Sequence, residues 1–412
     1  MRVLFTTQPG LGHFHPLLPV AGGLRRRGHE VAFASSASFG KQIVAAGFPA
    51  FAVGQDWLAT DMVRAFPEMA SIPPGPARYA WARGAIFAGA TARGTTPDLV
   101  GLARRWCADL IVREAAEFGG CLAAEMLDLP HAMVRTDSGS SSYSDRHHVA
   151  EALSGLREQF GLPPDPDVEM PFRYVQLSFA PDGLGESEAE AAPTCHRFRP
   201  IALPSDDAGP APSWLAALPP RPTVYATLGT VYNGPDLLRA IIDGLATECI
   251  NLVVTVGTNH DPAAFGPRPA NVHIERWIDQ HVLLPHCDVV VTHGGYGTVS
   301  ATLHAGLPLV FIPISADQPG NAERCAALGV GRIVGPDERT PAAIRAATRA
   351  VLDDPSHRRA ARVIAREAHS RPGLDAALDV LERLAVDRQA VLRSTAGGSP
   401  RPGALGASPP PS

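Results

Sequence analysis

The stretch RVLFTTQPGLGHFHPLLPVAGGLRRRGHEVAFA (Arg2–Ala34) decides how the chain begins to fold. Residues 2–7 are a short apolar run that stops at Gln8-Pro9-Gly10-Leu11-Gly12. From about Pro16 to Arg27, Leu17, Leu18, Val20, Ala21 and Leu24 recur on one side at helical spacing. Gly28 stops that pattern, and Glu30–Ala34 reads as the next strand. A strand, a Gly-rich loop, a helix and a second strand open a doubly wound parallel sheet. In such a sheet ligands sit at the carboxyl ends of the strands.

The alternation continues outward from this unit. Asp109–Val112 predicts a strand, the segment to about Leu127 a helix, and His131–Val134 a strand. Seven prolines then fall between residues 200 and 222, which marks a linker. A second series follows. Strands are predicted at Thr223–Thr227, Leu252–Val256, Val272–Glu275, Val289–Thr292 and Leu309–Pro313, and helices at Leu237–Thr247 and Thr298–Ala305. The expected fold class is α/β, with two Rossmann-like doubly wound domains facing each other across a cleft. The expected boundaries are 1–203, a linker over 204–222, and 223–393, whose final helix is placed to pack back on the first domain. Residues 394–412, STAGGSPRPGALGASPPPS, have too little apolar surface to order themselves and read as a disordered tail.

Bulk properties narrow the function classes. At 412 residues the chain is long enough for two cores. It is 45% hydrophobic and 19% charged, ordinary for a globular protein. A net charge of −5 with no basic run argues against nucleic acid as partner. The cysteines, 107, 121, 195, 249, 287 and 325, include no C-x-x-C pair, so they read as reduced core thiols of a cytoplasmic protein. The N-terminal apolar run is too short for a signal peptide, and nothing approaches the roughly 18 apolar residues of a membrane span.

Three motifs bear on chemistry. Gly10-Leu-Gly12-His13-Phe-His15-Pro16 follows the first strand, and its glycines allow close backbone approach to a ligand. His at position 15 breaks the dinucleotide fingerprint. His13 projects from a strand-to-helix loop, either as a base facing the cleft or as a histidine that caps backbone groups. Glu114 ends Asp109-Leu-Ile-Val-Arg-Glu114. It reads first as a solvated acid at a helix N-terminus, and otherwise as a carboxylate that orients His13. The most specific block is Val289-Val-Val-Thr-His293-Gly294-Gly295-Tyr-Gly297-Thr298, followed by Asp317-Gln318 after the next strand. A strand ending in His-Gly-Gly before a helix N-terminus is a site for a pyrophosphate. A carboxylate beside an amide can clamp vicinal hydroxyls.

Other patterns read as structure. Asp165-Pro166-Asp167 has metal-binding spacing but lies among prolines, so it reads as loop. His147 and His148 are adjacent and share no helix face for a metal pair. The Met and aromatic residues of 57–90 are more readily core than pocket.

These blocks resemble the glycosyltransferases of the GT-B fold, family GT1, in particular the actinobacterial enzymes that decorate macrolides, aromatic polyketides and enediynes. The resemblance covers roughly residues 1–385: GLGHFHP, GHEVAFA, the strand ending at Glu114, TVYATLGT (223–230), ERWIDQHVLLPHCDVVVTHGGYGT (275–298) and GLPLVFIPISADQPGNA (306–322). By position it implies His13 as the catalytic base and Glu114 as its acidic partner. It implies a diphosphate site at His293, Gly294, Gly295, Gly297 and Thr298, with Thr230 and Gly12 nearby. Trp277, Ile278 and Gln280 become the wall for nucleobase and ribose, and Asp317 and Gln318 the readers of sugar hydroxyls. Trp57, Met62, Phe66 and Phe87 fall where the family builds its acceptor wall. The family's ribose-clamping acid is not evident, since Leu303-His304-Ala305 stands there, which leaves uracil and thymine both open.

The implied reaction is metal-independent, inverting transfer of a sugar from a dTDP- or UDP-sugar to a hydroxyl of an apolar small molecule. The nucleotide sugar is a co-substrate, and no further cofactor is implied. A homodimer and a separate activator protein stay open as partners. Two other readings stay open as well: a nucleotide-sugar epimerase of the same fold, and a non-catalytic sugar-nucleotide-binding partner.

Overall fold

The computed structural model describes residues 1–393 except 74, 136–142, 145, 182, 186–189, 201–211, 230–232 and 258. Thr230, part of the Pro-rich linker and the tail 394–412 therefore lie outside the described residues.

Two parallel sheets organise the chain. The first comprises β1 (Arg2–Thr6), β2 (Glu30–Ser35), β3 (Ala50–Ala52), β4 (Leu110–Glu114), β5 (His131–Val134), β6 (Val175–Ser178) and β7 (Cys195–Arg197). Its order is β3-β2-β1-β4-β5-β6-β7. The second comprises β8 (Thr223–Thr227), β9 (Asn251–Thr255), β10 (Val272–Glu275), β11 (Val289–Thr292), β12 (Leu309–Phe311) and β13 (Gly331–Ile333), in the order β10-β9-β8-β11-β12-β13. The central strands are near-continuous apolar runs because both faces are covered. In each sheet the order reverses between two neighbours, β1 and β4 in the first and β8 and β11 in the second. Those reversals open the crevices in which such sheets hold ligands.

The helices differ from the sequence expectation where prolines intervene. Instead of one helix from Pro16 to Arg27, a single turn α1 (Leu11–Phe14) leads through a 3₁₀ turn at His15–Leu17 into α2 (Leu18–Arg26). Pro16 and Pro19 each occupy a first-turn position, where a missing N–H costs nothing. His13 thus sits in a helical turn, not in an open loop. Between β3 and β4 a π-helix, Ala82–Thr91, runs directly into α3 (Ala92–Trp106), and α4 (Gly119–Met126) follows β4.

In the second half α5 (Gln280–Leu283) precedes β11, and α6 (Tyr296–His304) and α7 (Gln318–Ala327) follow β11 and β12. Two long helices, α8 (Pro355–Ser370) and α9 (Leu374–Asp387), come after them. Helix α9 packs on α2, where Leu378, Leu381 and Leu384 join Leu17, Val20, Leu24, Phe5 and Phe33 in one core. Beside that core Arg27 reaches Asp375, Asp379 and Glu382 at 3.2, 2.7 and 2.9 Å. The opposite face of the first sheet is closed by Leu99, Leu102 and Ala123 over Leu4 and Ile111. Among the described residues no helix is long and apolar enough to cross a membrane.

Candidate active site

The pairing of β1 with β4 brings two distant side chains together. Thr6 is in register with Arg113, so the chain leaves both strands at the same level of the sheet. His13 follows the first exit and Glu114 ends the second, and His13 Nδ1 lies 3.2 Å from Glu114 Oε1. Glu114 is wholly buried, whereas the His13 side chain keeps 27% of its exposure. The Glu114 carboxylate accepts from the Ala116 amide at 2.6 Å and from the Gln8 amide at 3.4 Å. Backbone bonds of this kind satisfy a buried carboxyl group and hold it in place without water. The expectation of a solvated helix N-terminal acid is therefore corrected. Helix α4 starts only at Gly119, and the acid at its N-terminus is Glu117, which accepts from the Gly120 amide. Burial raises the Glu117 carboxyl above the usual range.

Helix α1 is fixed by its apolar neighbour. Phe14 is buried against Phe33 and Phe39, with ring centroids 5.1 and 5.5 Å away. Successive residues diverge by roughly 100° around a helix, so anchoring Phe14 turns His13 elsewhere. The His13 ring meets Phe87 of the π-helix edge to face, at 5.9 Å between centroids. Phe87 belongs to one apolar cluster with Trp57 and Phe66, against which Met62 packs. Trp57 and Phe66 are each 7% exposed and meet edge to face at 5.2 Å. The four acceptor-wall candidates thus share one cluster, and Phe87 is the member that touches His13.

In the second sheet the same logic places His293. Thr227 is in register with Thr292, so the segment Leu228–Gly229 and the loop starting at His293 leave β8 and β11 side by side. The His293 ring lies between two glycines. A Cβ on Gly229 would come within 2.8 Å of the ring, and one on Gly295 within 2.6 Å. Gly229 also has φ +70°, a left-handed conformation that side chains disfavour. Burial lowers the His293 pKa to about 4, against an opposing backbone hydrogen bond at Thr227. The imidazole is therefore neutral at pH 7 and presents N–H and N without a charge.

Helix α6 begins at Tyr296, two residues earlier than expected, so the Tyr296, Gly297 and Thr298 amides form its open first turn. The Thr298 hydroxyl accepts from the Gln280 side chain at 3.2 Å, which joins two of the expected donor-site residues. Trp277 is 56% exposed, a platform suited to stacking on a base. Ile278 differs from expectation. Its side chain is 5% exposed in a core with Tyr225, Leu283 and Val290, so it backs the wall and does not face a ligand.

Asp317 follows Ala316, whose φ of +58° is unusual for a residue with a Cβ, and strain of this kind collects at functional sites. Gln318 is 2% exposed, and its side-chain oxygen accepts from the Ile314 and Ser315 amides at 2.8 and 2.9 Å. That oxygen braces the loop and is not available to a sugar. Gly12 is exposed in α1, on the first domain.

Two site residues escaped the sequence reading. Asn321 is fully buried and donates to both Gly294 O at 2.9 Å and Asp317 Oδ2 at 2.8 Å, tying the loop after β11 to the start of α7. Its spacing of four residues from Asp317 on a helix was the available signal. Gln8 is the other, a polar residue directly after an apolar strand. Among the described residues no group of three or more His, Cys, Asp or Glu side chains is gathered to hold a metal. Asp165 instead accepts from the Glu169 and Met170 amides.

Known proteins resemble the chain in sequence and in fold. Residues 239–384 match the family model described as erythromycin biosynthesis protein CIII-like, C-terminal domain. The L-demethylnoviosyl transferase of Streptomyces niveus is 32% identical, over 90% of this chain and 95% of that protein. The 10-deoxymethynolide desosaminyltransferase of Streptomyces venezuelae is 30% identical, over 94% and 98%. The crystal structure of the glycosyltransferase VinC in complex with DTDP superposes with a TM-score of 0.75 at 27% identity, over 94% of this chain and all of that one. The chain belongs to the GT-B glycosyltransferases of family GT1 that share this C-terminal domain with actinobacterial natural-product enzymes.

Proposed function

We propose that the chain transfers a hexose from a dTDP- or UDP-sugar to a hydroxyl of an apolar natural product, with inversion at the anomeric carbon. The observation that carries this reading is the imidazole–carboxylate pair, His13 Nδ1 at 3.2 Å from buried Glu114, standing against Phe87. With Nδ1 turned to Glu114, Nε2 is on the opposite edge of the ring. There it takes the proton of the acceptor hydroxyl as that oxygen attacks the anomeric carbon. The bond from that carbon to the diphosphate breaks, and its electron pair leaves on the phosphate oxygen. Helix α6 and the loop from His293 meet the charge that develops there. Asp317 reads sugar hydroxyls, and Trp277 stacks on the base.

In this reading residues 1–203 form the acceptor domain, 204–222 the linker and 223–393 the donor domain. The reaction needs no metal or added cofactor, and the enzyme is cytoplasmic, serving antibiotic-type secondary metabolism. The relatives support this over an epimerase or a non-catalytic partner, because both named above are sugar transferases and VinC was solved with DTDP.

The test is a panel of dTDP- and UDP-sugars against macrolide and aromatic polyketide aglycones, with and without EDTA. The expected result is a glycoside whose anomeric configuration is opposite to that of the donor, formed at equal rates with the chelator. Retention of configuration, or donor turnover without any acceptor, would overturn the reading.

A further inference from the structure

We infer that Gln8 is a positioning residue that locks the His13–Glu114 pair to the acceptor wall. The inference rests on the reading of His13 as the base. Gln8 is 4% exposed, so its amide must find partners inside the protein. Both are known: Nε2 donates to Thr91 Oγ1 at 3.1 Å and to the Ala116 carbonyl at 3.0 Å. Those two bonds use both protons of the amide nitrogen. The Gln8 backbone N–H points at Glu114 Oε1, 3.4 Å away.

The contacts close a circuit. Ala116 donates its own amide to Glu114 Oε2 at 2.6 Å, and Glu114 meets His13. On the other side Thr91 Oγ1, while accepting from Gln8, donates to the Phe87 carbonyl at 2.9 Å. The Phe87 ring then returns to the His13 ring. Three segments far apart in sequence, the exits of β1 and β4 and the end of the π-helix, meet at one side chain. A ten-residue π-helix is itself unusual, and such turns concentrate at functional sites. An acceptor that displaces Phe87 is felt at His13 through this circuit, so aglycone fit and base alignment move together. On the elements of the circuit the buried charged groups are Arg113 and Glu114 at the end of β4, Glu117 just before α4 and Arg83 on the π-helix. The Arg113 guanidinium is occupied by the Glu114, Glu117 and Pro171 carbonyls.

The experiment uses full-length protein with 13C-labelled histidine, the His13 resonance being identified by its loss in His13→Ala. Gln8→Met keeps the length of the side chain and removes both N–H groups, and Thr91→Val keeps the shape and removes the hydroxyl. Loosening Glu114 from His13 weakens the carboxylate's hold on the protonated ring. The ring is therefore expected to titrate lower than in the wild type, by about half a pH unit or more, in both variants. With the donor and aglycone that react in the panel, kcat/KM for the aglycone is expected to fall roughly ten- to a hundredfold. Donor affinity by calorimetry stays within about twofold of wild type, because the proposed donor contacts other than Gly12 lie in the other domain.

A merely structural role gives a lower melting temperature with the His13 titration and aglycone KM unmoved in both variants, and that result overturns the inference. Should Gln8→Met not fold, Thr91→Val gives the same readouts through the other arm of the circuit. A fully active His13→Ala would instead remove the base reading, and the titration separates the two failures because it needs no turnover.

Discussion

His13 and His293 each lie beyond a strand at the point where its sheet reverses, yet their surroundings differ. His13 keeps solvent access and stands against a buried carboxylate, the setting proposed for the base. His13→Ala is expected to cut transfer by roughly 10²–10⁴-fold, while donor affinity barely moves. Glu114→Ala loses less in the same direction. The double variant is little worse than His13→Ala, since two groups acting as one unit are not additive. Rates and calorimetry on the three proteins decide it, and full additivity would return Glu114 to a structural part.

His293, with its pKa near 4, leads to a different measurement. Its folded value lies below the ordinary 6.5, so the unfolded chain takes up the proton first. Folding stability therefore falls as the pH drops from about 6.5 to about 4, and this residue accounts for about 3 kcal/mol of that loss. His304, also lowered to about 4 by burial and by neighbouring His369, adds to the same window. His293→Asn should flatten the pH dependence of the urea midpoint between those limits without abolishing it. An unchanged slope would mean that His293 is not buried in its neutral form.

At the scale of elements, the loops after β8 and β11 are fitted around an imidazole. Gly295→Ala would put a methyl within 2.6 Å of His293 Nε2, so the ring must turn out of place. Donor binding by calorimetry is expected to weaken roughly tenfold, about 1.4 kcal/mol, with the melting temperature little changed because the loop is at the sheet's rim. Tight binding in that variant would show that His293 does not set the donor site.

The strands were legible in the sequence because each is an apolar run bounded by turn residues. His131–Val134, Thr223–Thr227, Val272–Glu275 and Val289–Thr292 match the predicted bounds. The helix starts were less so. The turn Leu11–Phe14 hides in a Gly-rich stretch that reads as loop, and it exists because the Gly10 carbonyl accepts from both His13 and Phe14. The His-Gly-Gly loop could be placed between β11 and α6 for the same reason as the strands, since its turn signal is local. Glu114 could not, because its burial is decided by strand pairing and by the amides of Gln8 and Ala116. Gln8 was missed on the same ground, its partner Ala116 lying 108 residues away, whereas Asn321 had a local signal in Asp317 but only its bond to Gly294, 27 residues away, shows what it joins.

For the whole molecule, the decisive feature is the return of α9 to the first sheet. Leu381 is fully buried between α2 and that sheet. Leu381→Ala should cost about 3 kcal/mol, the range of a buried Leu-to-Ala change. Far from the second sheet, it should loosen the first domain first. Hydrogen exchange would show faster exchange in α2 and β1 than in β8 and β11, and a uniform change would contradict that assignment.

The same return sets a constraint on how the protein is made. On the ribosome α2 and the first sheet emerge early, and the helix that covers Leu17, Val20 and Leu24 emerges only after the whole second sheet has been translated. Through that interval the nascent first domain exposes an apolar strip, a surface that chaperones bind and that aggregates when left bare. A message cut short before residue 374 would yield a complete second sheet beside an unfinished first one.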